Sequence, residues 1–259
     1  MSKRLLIDAR QIEETRVITT TNDIIDDFEY EVHSRRQLKG NIYLARVTRV
    51  EPSLQAAFIE YGGNRQGFLA FSEIHPDYYR IPVEDKKKLI AEASAQTDED
   101  LKLIENINED SALDYNEEDL KKVKKSLYRN YKIQEVIARR QILLVQVVKE
   151  ERGTKGAALT TYISIAGRYC VLMPNTPRGG GVSRKIANVT DRKRLKKVVD
   201  ELDVPTGMAV IVRTAGSKRT KTEIKRDYSN STSIWENVKN LTLESNAPFL
   251  IHEEGSLVK

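Results

Sequence analysis

Two small sets of residues have the types and spacing that chemistry needs. Phe58 and Phe68 sit in neighbouring strand-like runs, QAAFIEYG and RQGFLAF. Arg46, Arg49, Arg65 and Lys155 lie close by in sequence. Exposed aromatics on a small barrel stack on bases, and cations beside them follow a phosphate backbone. Phe58 is flanked by Ala57 and Ile59, so alternation alone allows either a core or a surface ring. The second set is Arg213 and Thr214, which close the apolar run MAVIVRTAG, with Gly167 and Val171 on an earlier run. A guanidinium fork next to a hydroxyl can hold a phosphate, and glycine lets a ligand approach the backbone. A strand-end arginine simply facing solvent fits the same residues.

Hydrolytic machinery is harder to find. Metal-assisted phosphodiester cleavage needs carboxylates that converge on a cation, and Asp8, Glu60, Asp227 and Glu254 are scattered without local spacing. His33, His75 and His252 are far apart and read as surface or packing residues. The triple glycine at 179–181 lacks the following Lys and Ser/Thr of a phosphate-binding loop. Cys170, the single cysteine, falls in a strand and reads as a buried, inert thiol. It excludes an intrachain disulfide and any multi-cysteine zinc site. No catalytic and no metal residue is assigned.

These residues must be positioned by strands first. Short strands are expected at 4–8, 16–20 and 24–32. A denser series begins at 42: IYLARVTRV, a turn at Glu51–Ser53, QAAFIEYG, a turn at Gly62–Asn64, then RQGFLAF. Three strands joined by tight turns read as a small antiparallel barrel or sandwich. From 83 to 131 the texture turns helical, and strands resume at 141–148 and 158–166. The economical reading is a helical insertion in one barrel. A mobile loop at 176–181, a basic helix at 190–202, a strand at 208–216 and a helix at 231–244 complete the expectation. The insertion is acidic, with 13 acids against 4 bases over 84–119, whereas 120–231 carries 26 bases against 9 acids. Such a surplus suits a polyanionic partner. Lys121, Lys122, Lys124, Lys125 and Arg192–Lys197 fit a solvated helix face equally well. The 259 residues are 31% charged and 39% hydrophobic. They contain no apolar run long enough to span a membrane, and MSKRLLIDARQIEE is not a secretory leader. A cytoplasmic location is the expectation.

Several long blocks, in order, resemble the ribonuclease E/G family: NIYLARVTRVEPSLQAAFIEYGGNRQGFLAFSEI, KEERGTKGAALTTYISIAGRYCVLMPNTPRGGGVSRKI, IVRTAG and APFLIHEE. The likeness is closest to the bacterial ribonuclease E type and covers nearly everything except 82–132. It implies an α+β, multi-domain chain. Residues 1–35 and 215–259 would form the two parts of an RNase H-like subdomain, the second cut short. An S1-type OB-fold barrel with its insertion at about 82–132 would occupy 36–161, and a small α/β 5′ sensor 162–214. The resemblance puts Phe58, Phe68 and Lys155 at RNA-contacting positions. Lys39 joins them, at a place where the family often has two lysines and this chain reads RRQLK. It puts Gly167, Val171, Arg213 and Thr214 at a pocket for a 5′-monophosphate, with Arg213 and Thr214 on the phosphate. In the family, Mg2+-binding aspartates belong to a later DNase I-like domain, and Zn2+ joins protomers of a homotetramer through cysteines beyond it. The ligands for both are absent from this sequence, so no cofactor is expected on this chain. The resemblance therefore implies the recognition half of an endoribonuclease for single-stranded RNA, acting in rRNA and tRNA processing and mRNA decay. The chain alone is expected to bind RNA without cutting it. A non-catalytic S1/OB-fold RNA-binding adaptor is the alternative, and a barrel tuned to DNA a third reading, separable through 2′-hydroxyl contacts.

Overall fold

The computed structural model describes residues 2–11, 13–32, 38–87, 89, 131–151, 153, 155–176, 181–183 and 185–254. The chain is a mixed α+β protein built around a five-stranded barrel, with few helices. Most of the expected acidic insertion, with Lys121, Lys122, Lys124 and Lys125, lies outside the described residues, as do His33, Arg35 and Arg36.

The chain opens with an antiparallel sheet of β1 (Lys3–Gln11), β2 (Glu14–Thr21) and β3 (Ile24–Val32), in that order. The turn between β2 and β3 is Asn22–Asp23, both at positive φ (51° and 65°). That backbone matches the twist of the flanking strands, and Asn and Asp tolerate it.

The barrel contains β4 (Ile42–Glu51), β5 (Ala56–Glu60), β6 (Gly67–Ala70), β7 (Ile142–Lys149) and β8 (Ala158–Thr160). Neighbours run β4-β5-β6-β8-β7, and β4 also pairs with β7, which closes the ring. The alternation of each strand explains its filling: Tyr43, Ala45, Val47, Ala57, Ile59, Leu69, Leu143, Val145, Val147 and Leu159 point inward and are buried. A four-residue helix, Ile133–Val136, adds Ile133 and Val136 to the same core.

The single strand expected at 158–166 is two strands. After Thr160 the backbone leaves the ladder: the Thr161 N–H donates to the Glu73 carbonyl at 2.9 Å, and side chains take the N–H groups that follow. Ile163 donates to Asn175 Oδ1 at 3.0 Å and Ser164 to Gln146 Oε1 at 2.8 Å. The chain thereby crosses into a second sheet of β9 (Ile165–Ala166), β10 (Cys170–Met173), β11 (Gly181–Val182) and β12 (Ala209–Val212), ordered β11-β12-β10-β9. Gly181, expected in a loop, instead opens β11 and runs parallel to β12; 177–180 lie outside the described residues.

The basic helix spans Val189–Asp200, capped by the Asn188 side chain, with Leu195, Val198 and Val199 buried. The strand expected at 208–216 stops at Val212 and tightens into a 3-10 turn at Thr214–Gly216. The last helix spans Lys221–Glu244, starting ten residues before the expected 231. Its start is set by a capping box: Thr220 Oγ1 accepts from the Glu223 N–H at 3.3 Å, and the Thr220 N–H donates to Glu223 Oε2 at 2.9 Å. Ile224, Ser231 and Val238, seven residues apart, form its buried stripe. Finally β13 (Phe249–His252) pairs with the start of β4. Ile42 and Leu44, which point out of the barrel, share a second core with Ile165, Leu172, Val212, Ile224 and Ile251. β4 thus serves both cores through its two faces.

Candidate nucleic-acid interface

Phe58 and Phe68 are direct cross-strand partners on β5 and β6. Their inward neighbours Ala57, Ile59 and Leu69 fill the core, so both rings lie half-buried on the outer face. The rings meet edge to face with centroids 6.2 Å apart. A bulge in β4 completes the row. Val47 pairs with Ile59 and Arg49 with Phe58, which leaves Thr48 as the extra residue. Strict alternation would put Arg49 on the same face as Val47, inside the barrel; the extra residue turns it outward. Thr48 Oγ1 donates to the Phe58 carbonyl at 2.9 Å and fixes the bulge. The Arg49 guanidinium then rests 4.5 Å above the Phe58 ring. Arg49, Phe58 and Phe68 form one row on the outer face across three strands.

The other cations differ in how far they are committed. Arg46 donates through Nη2 to the Ala247 carbonyl at 2.7 Å and ties the approach to β13. Arg65 donates to the Gly153 carbonyl. Its N–H and the Tyr61 hydroxyl share Glu151 Oε1, at 3.1 and 2.8 Å. Lys155 is exposed beside this hairpin. Gly156, next to it, lies against the Gln66 carbonyl where no side chain fits. Lys39 is also exposed, and its N–H and that of Leu38 converge on Glu150 Oε1 at 3.4 and 2.8 Å.

The second predicted set gathers at one end of the second sheet. Arg213 donates through Nη1 to the Gly167 carbonyl at 2.8 Å, and its N–H to the Tyr169 carbonyl at 2.7 Å. Thr214 follows, exposed, at the start of the 3-10 turn. Val171 pairs with Ile211 on one side and Ala166 on the other. A Cβ on Gly167 would stand 2.9 Å from Asp227 Cγ and 2.9 Å from the Cys170 carbonyl, so only glycine fits. These four residues come together, but on a different sheet from Phe58 and Phe68.

Asp227 holds this corner. Its Oδ1 accepts from the Arg168 N–H at 3.0 Å, and its Oδ2 from the Tyr169 and Cys170 N–H groups at 2.8 and 2.9 Å. Burial alone would raise its pKa, but these donors and the Cys170 thiol outweigh it and hold the carboxyl below the usual range. The same contact works the other way on Cys170, whose thiol is pushed up to about 12 by burial and by the neighbouring carboxylate. Cys170 is therefore an inert, buried thiol. The guanidinium groups of Arg168 and Arg219 both lie over the Tyr169 ring, 5.6 and 5.2 Å from its centroid.

The family profile described as "Ribonuclease E/G family" matches residues 164–259. Ribonuclease E of Escherichia coli (strain K12) is 38% identical over 256 residues, 99% of this chain and 20% of that protein. Ribonuclease E of Haemophilus influenzae is also 38% identical over 256 residues, 99% of this chain and 23% of its own length. The chain is thus similar to ribonuclease E proteins along almost its whole length. Ribonuclease G of E. coli (strain K12) is a further relative, 32% identical over 238 residues, covering 92% of this chain and 40% of that protein. The chain spans about a fifth of the length of these ribonuclease E relatives.

The sequence pointed to both residue sets but missed their supports. Asp227 counted only as a scattered acid, yet it sits three residues after buried Ile224 on the helix. The capping box at Thr220 and Glu223 was the readable signal for that face. Two arginines of the basic helix are likewise structural. Arg192 donates to the Ser183 and Ile186 carbonyls at 3.1 and 3.3 Å, and Arg194 to those of Arg219 and Ser217. Lys193 and Lys197 are exposed. His75 is a packing residue: its Nδ1 accepts from the Asp77 N–H at 3.2 Å, and burial lowers its pKa. Among the described residues no three His, Cys, Asp or Glu side chains come together.

Proposed function

We propose that this chain is the RNA-capturing part of a ribonuclease E/G-type endoribonuclease. The observation that carries this reading is the row of Arg49, Phe58 and Phe68 on the outer face of the barrel. Single-stranded RNA lies across that face, its bases stacking on the two rings, as on the strands of an S1-type OB fold. Lys155 and Lys39 take backbone phosphates at the ends of the row. The second sheet is the 5′ sensor. There a terminal monophosphate sits on Arg213 and Thr214, with Gly167 keeping the backbone close. The Gly167 carbonyl orients the guanidinium, and Asp227 fixes the loop that carries that carbonyl. Residues 1–35 and 215–259 take the part of an RNase H-like subdomain, a division supported by the sequence resemblance. Names of the relatives support RNA as the substrate and phosphodiester cleavage as the activity of the whole protein.

Fluorescence anisotropy with labelled single-stranded RNA tests the reading. Replacing both rings (Phe58→Ala with Phe68→Ala) is expected to weaken binding by about 1–3 kcal/mol per unstacked base. Arg213→Ala is expected to erase any preference for a 5′-monophosphate over a 5′-hydroxyl while leaving 5′-hydroxyl RNA bound as before. Unchanged binding of the double variant would reject the barrel as the RNA face. Equal affinity for a matching DNA oligomer would reject RNA as the favoured strand.

A further inference from the structure

The Arg49 end of the aromatic row opens into a groove of about 580 Å3. One wall is the bulged part of β4, Thr48 to Val50; the other is Gln134, Ala138 and Arg139, from the short helix and the turn after it. The turn is clamped to β4 by two backbone bonds, Val47 N–H to the Gln141 carbonyl at 2.9 Å and Arg140 N–H to the Val47 carbonyl at 2.8 Å. Gln141 further braces it, accepting from the Ala138 N–H at 3.1 Å and donating to the Tyr78 carbonyl at 2.7 Å. The groove is therefore preformed on rigid backbone, within the size range of small-ligand sites.

Its chemistry is divided. Val50 and Ala138 supply aliphatic surface, while Arg49, Gln134 and Arg139 are exposed polar groups around it. Apolar walls with two guanidinium groups suit a planar base and its phosphate together. Arg49 belongs both to this groove and to the row, because its guanidinium lies on Phe58. A strand stacked on Phe68 and Phe58 and leaving over Arg49 has the groove directly ahead of it.

We infer that this groove is a further nucleotide subsite, in which Arg139 and Arg49 hold a phosphodiester of single-stranded RNA immediately beyond the Phe58–Phe68 pair. The subsite rests on the barrel reading above and extends it by one nucleotide past the rings. Arg139 is the residue that distinguishes it, since Arg49 also touches Phe58. Its neighbour Arg140 is equally exposed but does not line the groove.

The test measures binding of a labelled eight-nucleotide oligouridylate across a salt series. Arg139→Gln is expected to weaken binding about tenfold, the loss of one charge-assisted hydrogen bond. The slope of log affinity against log salt should fall by about 0.7, the value for one phosphate contact on a single strand. Arg140→Gln should change affinity less than twofold. The same loss in both variants, or no loss in Arg139→Gln, overturns the subsite. The Phe58→Ala, Phe68→Ala variant is measured alongside: if it binds normally the barrel reading itself fails, whereas a loss there with an inert Arg139 rejects only the subsite.

Discussion

The barrel and the N-terminal sheet are made of similar antiparallel strands, yet they bury very different amounts. In the barrel, Ala45, Val47, Ile59, Leu69 and Val145 are fully enclosed. In the β1–β3 sheet, Leu5, Leu6, Ile7, Ile25, Phe28 and Tyr30 are all at least half exposed. Register explains part of this. Leu6, Ile18 and Phe28 line up on one face, while Leu5, Ile7 and Val17 share the other with Thr19, Asp27 and Glu29. Apolar residues fall on both faces, so no single covering layer could enclose them. Closure explains the rest: β4 pairs with β7 and seals the barrel, whereas β1–β3 pair only with each other among the described residues. A three-stranded sheet without a buried face is held by its ladder and its turn alone, and belongs to the low end of local stability.

Truncating one leucine in each region is the strongest test of that difference. Leu69→Ala removes a fully buried side chain from the barrel and is expected to cost about 2–5 kcal/mol. Leu6→Ala, at a position 52% exposed, is expected to cost less than about 1 kcal/mol, because most of its surface already meets water. Urea unfolding followed by the amide NMR signals of each region reads both, because each set of strands then reports its own opening. Comparable losses would mean that the sheet is covered in solution.

A smaller effect probes the second sheet, where polar contacts rather than closure hold a corner. The Asp227 carboxyl is held below its usual range, so its stabilisation is present above the ordinary carboxylate pKa of about 4 and is lost as pH falls through the lower folded value. Asp227→Asn keeps the size but cannot offer two charged acceptors to three N–H groups. At neutral pH it is expected to cost about 1 kcal/mol, the partial exposure of the group keeping the figure low. Against Asp227→Asn, wild type should lose more stability between neutral pH and pH 3. Parallel acid-denaturation curves would show that the carboxylate charge contributes nothing to the corner.

What could be read in the sequence follows the same division. β4 to β6 were legible because their turns are short and marked, at Glu51–Ser53 and Gly62–Asn64. The outward placement of Phe58 was not, since Ala57, Phe58 and Ile59 are all apolar and period-2 alternation cannot orient them. Arg49 was legible only as a nearby cation, because a bulge shifts the face of everything after it and leaves no local signature at Thr48. The break after Thr160 was hidden for a related reason. A run of Thr, Tyr and Ile has strand propensity throughout, and its backbone is diverted by Glu73, Asn175 and Gln146, which local sequence does not reveal. Arg213 and Thr214 were picked out by their chemistry at a strand end, while their support, Asp227, depends on a helix whose first ten residues lack a continuous apolar pattern.

The smallest expected effect lies back on the N-terminal sheet. Asp8 has its carboxyl lowered to about 2, chiefly by the Arg10 side chain, whose Nε and Nη2 donate to Oδ1 and Oδ2 at 2.9 and 3.0 Å. A lowered folded value normally gives stability above about pH 4 that is lost on acidification. Here the partner is two residues away along the chain, and the pair is exposed on a sheet without cover. The unfolded chain can form the same contact, so folded and unfolded values move together and the linkage cancels. Asp8→Asn is therefore expected to leave the acid unfolding midpoint unchanged, while NMR titration of Asp8 in the folded protein is expected to find a low pKa. A shifted midpoint would mean that β1 must be ordered to bring Arg10 onto Asp8, and that the sheet contributes more to folding than its exposure allows.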